Sequence, residues 1–105
     1  MEKTSISGKV GVLVGGSRGI GRAIALRMVS LGMDITALAR NQEELDALGD
    51  KITAFGVKYL GIVADVADFD ALEKAFQKAW ETFGRFDLLV NSAGTGVMTS
   101  FEEIS

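Results

Sequence analysis

The sequence lacks three residue types altogether: its 105 residues include no cysteine, no histidine and no proline. Without cysteine, the chain can form neither a disulfide framework nor a thiolate metal site. Without histidine, it also lacks the commonest metal ligand of proteins, so we predict no metal site. Because no proline-rich segment marks a linker, and the length suits one small core, we predict a single core over residues 1–105.

The charge and hydropathy patterns exclude two classes of partner. The net charge is -3 with both signs interspersed, which leaves no basic surface for nucleic acid or anionic lipid. No apolar run approaches the ~18 residues that a membrane span requires, and residues 1–5 lack the apolar core of a signal peptide. With 48% hydrophobic residues, the composition is typical of a folded protein, and we predict a cytoplasmic location.

Four short apolar runs alternate with segments of helical periodicity. The runs at residues 9–14, 33–39, 59–64 and 87–90 predict strands that are buried on both faces. The segments between them predict three helices, and this alternation is typical of right-handed crossovers in a parallel, doubly wound sheet. The predicted apolar faces of the helices are Ile20, Ala23, Ile24, Met28 and Leu31, broken only by Arg27; Leu45, Leu48 and Ile52; and Leu72, Ala75, Phe76, Ala79, Trp80 and Phe83.

Capping residues predict where the helices begin and end. Asn41 followed by Glu44 has the spacing of a capping box, and Asp68 is placed as the N-cap of the third helix. The capping box opens a helix that we predict to be short, and Gly49 interrupts its pattern. The predicted C-terminal stops are Gly32 and Gly84.

Residues 15–21, GGSRGIG, place four glycines between the first strand and the first helix. In a strand–helix unit, this turn directs backbone N–H groups and a helix N-terminus at one point, which is a site for a phosphate. Gly15 can adopt the sharp turn, Gly19 leaves room for a pyrophosphate, and Gly21 lets the helix pack on the strand. The alternative is a turn without a ligand, but its position between strand and helix favours the phosphate site.

Three motifs together resemble those of the short-chain dehydrogenase/reductase family. GGSRGIG follows the first strand, Asp65-Val66 the third and residues 91–94 (NSAG) the fourth, where the family has TGxxxGxG, D-V and NNAG. The chain departs from the family at Val14, which replaces a threonine, and at Ser92, which replaces the second asparagine. The resemblance runs over essentially the whole chain as the N-terminal, cofactor-binding part. It implies an α/β, Rossmann-type doubly wound fold, truncated to about four parallel strands in the order 3-2-1-4.

The resemblance also implies roles for individual residues in binding a nicotinamide dinucleotide. The three loop glycines would line the pyrophosphate, with Ser17 and Ile20 beside them. Asp65 would accept a hydrogen bond from the adenine amino group, while Val66 packs against the ring. Without the other motifs, Asp65 is an ordinary helix-flanking carboxylate and the NSAG segment a polar turn. The residues implied to border the adenosine ribose are Asn91, Ala93 and Gly94.

The end of the second strand bears on which nicotinamide cofactor is bound. NAD-binding sheets usually carry Asp or Glu there, about twenty residues past the glycines, to hold the ribose hydroxyl. Here Arg40 stands at that point, and arginine can hold a 2′-phosphate, which an acid would repel. Arg18 could approach the same phosphate, as basic residues do in the NADP-preferring members that the chain resembles. We predict NADP(H); the alternative is that either arginine is a solvated side chain.

The family's catalytic residues have no counterpart in the sequence. Members use a Tyr-x-x-x-Lys pair, an upstream Ser and a later Asn, with the tyrosine as the acid or base on the substrate oxygen. The only tyrosine, Tyr59, has Val63 four residues on and begins an apolar strand, so we assign no catalytic residue. The resemblance implies hydride transfer between NADP(H) and a small-molecule ketone or secondary alcohol, with this chain alone inactive. The alternative is a non-catalytic dinucleotide-binding module that requires a partner chain.

The last residues resemble the family's entry into a further helix. Ser100 and Glu103 have the spacing of a capping box, and the sequence stops at Ser105. This favours an N-terminal piece of a longer reductase. We therefore expect an open edge at the fourth strand and uncovered apolar helix faces, and we predict a homo-oligomer.

Overall fold

A computed structural model describes residues 7–15, 19–65, 67–91 and 98–99 of the chain. Strands and helices alternate through these residues as the sequence predicts. The strands are β1 (Val10–Val14), β2 (Asp34–Ala39), β3 (Tyr59–Val63), β4 (Leu88–Asn91) and β5 (Met98–Thr99), and the helices are α1 (Gly19–Ser30), α2 (Gln42–Thr53) and α3 (Phe69–Phe83).

The strands form one sheet in the order β3-β2-β1-β4-β5. The first four are parallel to one another, which confirms the predicted order 3-2-1-4 and the doubly wound α/β class. The expectation of a fully open edge at β4 is wrong. Leu89 and Val90 pair antiparallel with Thr99 and Met98 of β5, so the backbone of the buried Val90 gains a second neighbour.

The two faces of the sheet carry cores of unequal size. The larger core lies under α1 and α2, where Leu13 and Ile35 meet the helical residues Val29, Leu45 and Leu48. The smaller core lies under α3 and has four buried members, Val12, Leu38, Ala64 and Ala75. Helices on both faces bury a parallel sheet, so the strands can be almost entirely apolar.

The buried face of α1 agrees with the predicted one only in part. Met28 is buried and Ile24 packs against the core as predicted, but Ala25 and Val29 are buried as well and Ala23 is exposed. The reason is that α1 itself carries small and aliphatic residues on nearly every face. Apolar spacing alone therefore does not select the face that packs on the sheet.

Helix α2 begins at the predicted cap but is not shortened by Gly49. The Asn41 side-chain Oδ1 accepts a hydrogen bond from the Glu44 N–H at 3.0 Å. The helix continues through Gly49 to Thr53, and the glycine makes room for the ring of Tyr59. A Cβ at Gly49 would lie 2.7 Å from the Tyr59 ring, so any side chain there would displace the tyrosine.

Helix α3 has both predicted caps, but its aromatic face is only partly covered. Asp68 accepts hydrogen bonds from the first turn, and Gly84 ends the helix with φ of 73°. Ala75 and Ala79 are buried as predicted, whereas Trp80 is 54% exposed and contacts Phe86 edge to face, with ring centroids 5.3 Å apart.

The prediction that β3 is buried on both faces is wrong. Tyr59, Leu60, Gly61 and Ile62 are half-buried, and Val63 is 49% exposed. The cause is topological, because β3 lies at the edge of the sheet and pairs only with β2 among the described strands.

Candidate functional site

The carboxyl ends of four parallel strands meet at one edge of the sheet, which we call the carboxyl edge. Val14, the last residue of β1, lies between Leu38 of β2 and Asn91 of β4. Val63 ends β3 next to Ala39 of β2. In open parallel sheets, ligands bind outside this edge, where the direction of the crossovers reverses. Here the reversal falls at β1, directly before the glycine turn.

The two described glycines at the start of this turn and of α1 both have positive φ. Gly15 has φ of 77°, and its N–H donates to the Leu38 carbonyl oxygen at 2.6 Å, which ties the turn to β2. Gly19 begins α1 with φ of 64°, and a Cβ built on it would meet no atom within 4 Å. The Cβ position of Gly19, the first residue of α1, is therefore open. An anion bound at this end of α1 would face the positive end of the helix dipole and the N–H groups of the first turn.

One glycine that sequence reasoning missed lies where α1 packs on the sheet. Gly21 is buried in the first turn of α1, and its predicted packing role stays a prediction. Gly11 is the second residue of β1, and a Cβ there would collide with the flexible terminal methyl of Met28 and lie 3.2 Å from the side chain of Ile35. A glycine inside a strand often marks such an approach, and this was the available signal.

Asp65 lies at the mouth of the carboxyl edge, just beyond β3. Its backbone is fixed by the preceding Ala64, whose N–H donates to the Ala39 carbonyl oxygen at 2.9 Å. The exposed Asp65 side chain accepts the Ala67 N–H through Oδ1 at 2.9 Å. The carboxylate is therefore oriented by the turn that leads into α3, and it faces solvent at the edge where adenine was predicted to bind.

Two further predicted site residues lie at strand ends of the same edge. Asn91 is the exposed last residue of β4, level with Val14 in the register. Arg40 directly follows β2 and is exposed, two residues beyond the Leu38 carbonyl that holds Gly15. The fold thus brings Arg40 and the glycine turn to neighbouring strand ends, as the 2′-phosphate prediction requires.

Some predicted site residues fall outside the described part of the chain. The backbone of Ile20 lies in the first turn of α1. The predicted site residues that lie outside the described ranges are Ser17, Arg18, Val66, Ala93 and Gly94.

Two searches of the described residues found no further site. These residues contain no group of three or more Asp and Glu side chains placed to hold a metal ion. Within the same residues, no helix is both long enough and apolar enough to cross a membrane.

Tyr59 has a structural role far from the carboxyl edge. It is the first residue of β3, and its hydroxyl donates to the Leu45 carbonyl oxygen at 2.7 Å. Burial, with a smaller contribution from the Asp46 charge, raises the pKa of Tyr59 to about 12. Tyr59 therefore stays protonated at neutral pH and holds β3 against α2, as expected for an edge residue without a catalytic role.

Comparison with known proteins agrees with this geometry. Residues 9–105 match the sequence profile of the short chain dehydrogenase family. A tropinone reductase homolog of Arabidopsis thaliana is 36% identical over 105 residues, which is 99% of this chain and 40% of that protein.

Solved structures of two enzymes with coenzyme share the fold. L-Sorbose reductase from Gluconobacter frateurii, complexed with NADPH and L-sorbose, has a TM-score of 0.83 at 35% identity, covering 99% of this chain and 40% of that one. Carveol dehydrogenase from Mycobacterium avium, in complex with NAD, has a TM-score of 0.81 at 30% identity, covering 86% of this chain and 37% of that one.

The match has a definite extent. The chain spans about 40% of the length of the Arabidopsis relative and of the sorbose reductase. This chain contains the glycine turn, the strand order and the polar strand ends described above. By sequence profile, fold and these features together, the chain belongs to the short-chain dehydrogenase family.

Proposed function

We propose that residues 1–105 form the dinucleotide-binding part of an NAD(P)-dependent oxidoreductase that transfers hydride to a ketone or from a secondary alcohol. The observation that carries the proposal is the placement of Gly15 and Gly19, both with positive φ, between the end of β1 and the start of α1 at the carboxyl edge. It is supported by the coenzymes of two similar structures, NADPH in the sorbose reductase and NAD in the carveol dehydrogenase. When bound, the nicotinamide supplies or accepts the hydride.

In this proposal the chain binds and orients the coenzyme through its backbone and a few side chains. The turn of Gly15, Gly19 and Gly21 holds the pyrophosphate with N–H groups, and a glycine at each point keeps side chains out of the way. Asp65 accepts the adenine amino group. The other residues assigned to the coenzyme are Ser17 and Ile20 at the pyrophosphate, Val66 at the adenine ring, and Asn91, Ala93 and Gly94 at the ribose.

We further propose that NADP(H) is preferred over NAD(H). The support is the exposed Arg40 at the end of β2, which has no ion pair among the described residues and neighbours the glycine turn. A guanidinium can bind a 2′-phosphate through two parallel N–H donors. Arg18 is assigned to the same phosphate from the loop side.

A non-catalytic coenzyme-binding role for the chain by itself is the second candidate. It is favoured by Tyr59, the only tyrosine, whose hydroxyl is held by Leu45 away from the carboxyl edge. We therefore expect the 105-residue chain to bind coenzyme without reducing a carbonyl substrate. Turnover that responds to substitution of Tyr59 would contradict this expectation.

We also propose that the chain associates with copies of itself. Large apolar side chains are exposed on its surface, including Val63 (49% exposed) at the end of β3 and Phe69 (87% exposed) on α3. Exposed apolar surface of this kind favours self-association. The cytoplasmic location and the absence of a nucleic-acid partner stay predictions from composition.

Replacing Arg40 tests the coenzyme preference. Arg40→Asp removes the phosphate donor and adds a repelling charge, so affinity for NADPH should fall by roughly 10- to 100-fold, the range for a charged hydrogen bond. Affinity for NADH should hold or rise, because an acid can bind the ribose hydroxyl. Isothermal titration of both coenzymes measures this.

A matched control separates local binding from overall charge. Lys74→Asp makes the same change of charge on the exposed surface of α3 and should leave both affinities unchanged. Tighter binding of NADH than NADPH by the unaltered chain, or an unchanged preference in Arg40→Asp, would overturn the NADP(H) assignment. Failure to bind either coenzyme would overturn the proposed function.

A further inference from the structure

The outer edge of β3 presents unpaired backbone groups. Lys58 and Ala64 direct their groups to β2, because the Lys58 carbonyl accepts the Ile35 N–H at 3.0 Å and the Ala64 N–H donates to Ala39 at 2.9 Å. Alternate residues of a strand point these groups to opposite sides. The N–H and C=O groups of the odd-numbered residues therefore point away from the sheet, and none has a hydrogen-bond partner among the described residues. These residues are Tyr59, Gly61 and Val63.

This edge lacks the features that usually prevent strand pairing. Exposed edge strands are commonly protected by charged side chains, proline or a bulge. Residues 59–64 read YLGIVA and contain no charge and no proline, and β3 pairs with β2 in unbroken register. Val63 is 49% exposed at this edge. The strand is therefore suited to accept another strand.

We infer that a second copy of this chain pairs with β3 in antiparallel orientation, about a two-fold axis through Gly61. In this register, Tyr59, Gly61 and Val63 of one copy lie opposite Val63, Gly61 and Tyr59 of the other. Each of these three pairs can exchange two backbone hydrogen bonds, which gives about six in total. It sets Tyr59 opposite Val63 of the copy and Leu60 opposite Ile62 of the copy. Aromatic and β-branched cross-strand pairs of this kind stabilise sheets.

The charges at the two ends of the strand select the antiparallel orientation. Lys58 precedes β3 and Asp65 follows its end, so the strand has a positive and a negative end. Antiparallel pairing brings the Lys58 end of one copy beside the Asp65 end of the other. Parallel pairing would set like charges side by side, which is destabilising. The edge thus complements itself in charge as well as in apolar content.

The position of β3 separates this surface from the other edge of the sheet. It lies at the opposite end of the sheet from β4 and β5, and the axis at Gly61 is two residues before the end of the strand. The inference rests on the proposed self-association and adds its surface. It predicts one continuous sheet running through both copies.

Hydrogen exchange resolved by residue tests this surface in the unaltered chain. As concentration rises, sedimentation should show a dimer, and the amides of Tyr59, Gly61 and Val63 should become protected at least about tenfold. The amides of Leu60 and Ile62 bond to β2 and should be protected at every concentration. A monomer at millimolar concentration would overturn both the self-association and this surface. A dimer without added protection of the three outward amides would overturn the surface alone.

Substitutions at Val63 provide the second arm. Val63→Pro removes an outward N–H that β2 does not use, and Val63→Lys adds an edge charge, so each should abolish the dimer while Leu60 stays protected. Val63→Thr keeps both the N–H and the branched shape, and the dimer should persist. Phe69→Lys adds the same charge on α3 and should also leave the dimer intact. A dimer that survives Val63→Pro and Val63→Lys but is lost in Phe69→Lys would show that α3 is the contact surface.

Discussion

The two ends of the sheet use similar polar residues for different purposes. At the amino ends of the strands, the Asp87 carboxylate accepts the Val10 N–H at 2.8 Å and pairs with Arg85, and Asp34 accepts the Lys58 N–H at 2.8 Å. At the carboxyl edge, Asp65 and Asn91 face solvent. The amino-end carboxylates therefore join neighbouring segments of the fold, whereas the carboxyl edge keeps polar groups accessible.

This difference teaches where stability and binding are located. A backbone N–H that is buried needs an acceptor, and at the amino end a carboxylate supplies one. At the carboxyl edge the helix N-terminus and glycine turn can instead be satisfied by a ligand. Substitutions at the amino end should therefore change the free energy of unfolding, and those at the carboxyl edge should change coenzyme affinity.

The largest expected effect is at Asp87. Asp87→Ala leaves the N–H of the buried Val10 without its acceptor and removes the partner of Arg85, which should lower the free energy of unfolding by about 2–3 kcal/mol. Urea unfolding measures the loss. Asp34→Ala is the matched control, because the exposed Lys58 N–H can bond to water instead, and should cost about 1 kcal/mol or less. Equal losses in the two variants would contradict the account.

The same carboxylate should give a pH signature. Burial alone would raise the pKa of Asp87, but hydrogen bonds from Arg85 and Val10 and the charges of Arg85 and Lys9 outweigh it and hold the pKa below 3.8. A carboxyl group with a lowered folded pKa contributes stability above its unfolded pKa, and this contribution is lost as pH falls through the folded value. The difference in the free energy of unfolding between the unaltered chain and Asp87→Ala should therefore be largest at pH 7 and should shrink below pH 3.8, the ordinary pKa of the group. A difference that grows on acidification would exclude this origin.

Two glycines allow the effects on stability and on coenzyme affinity to be separated at the carboxyl edge. Gly19 and Gly84 have similar φ, 64° and 73°, and a Cβ on either would meet nothing within 4 Å. Each Gly→Ala change should cost roughly 1–2 kcal/mol of stability through the left-handed backbone. Only Gly19→Ala should also weaken NADPH binding, by about tenfold or 1.4 kcal/mol, because its methyl would occupy the proposed phosphate space. Equal affinities in the two variants, measured by titration, would argue against a phosphate at Gly19.

Local sequence patterns predicted the elements well because their signals are strong and short in range. Asn41, Asp68 and Gly84 cap helices where the sequence places them. Features that depend on contacts between distant segments were not predicted. Gly49 looked like a helix breaker but accommodates the ring of Tyr59, ten residues further along the chain. No pattern within α2 alone contains that information.

The site was predictable as far as the strand ends determine it. Gly15, Arg40, Asp65 and Asn91 lie at one edge because parallel strands place their carboxyl ends together. The importance of Gly11 was missed, because its role depends on Met28 reaching it from α1. The face of α1 that packs on the sheet was predicted only in part, because several faces of this helix are apolar enough to pack.

The most direct test of the central claim is a titration of the isotope-labelled chain with NADPH, followed by amide chemical shifts. The account predicts saturable shifts at Gly15, Gly19 and Asp65, at the carboxyl edge, with the amides of Asp34 and Asp87 unchanged. Shifts confined to the amino end, or none at millimolar NADPH in a folded sample, would contradict it.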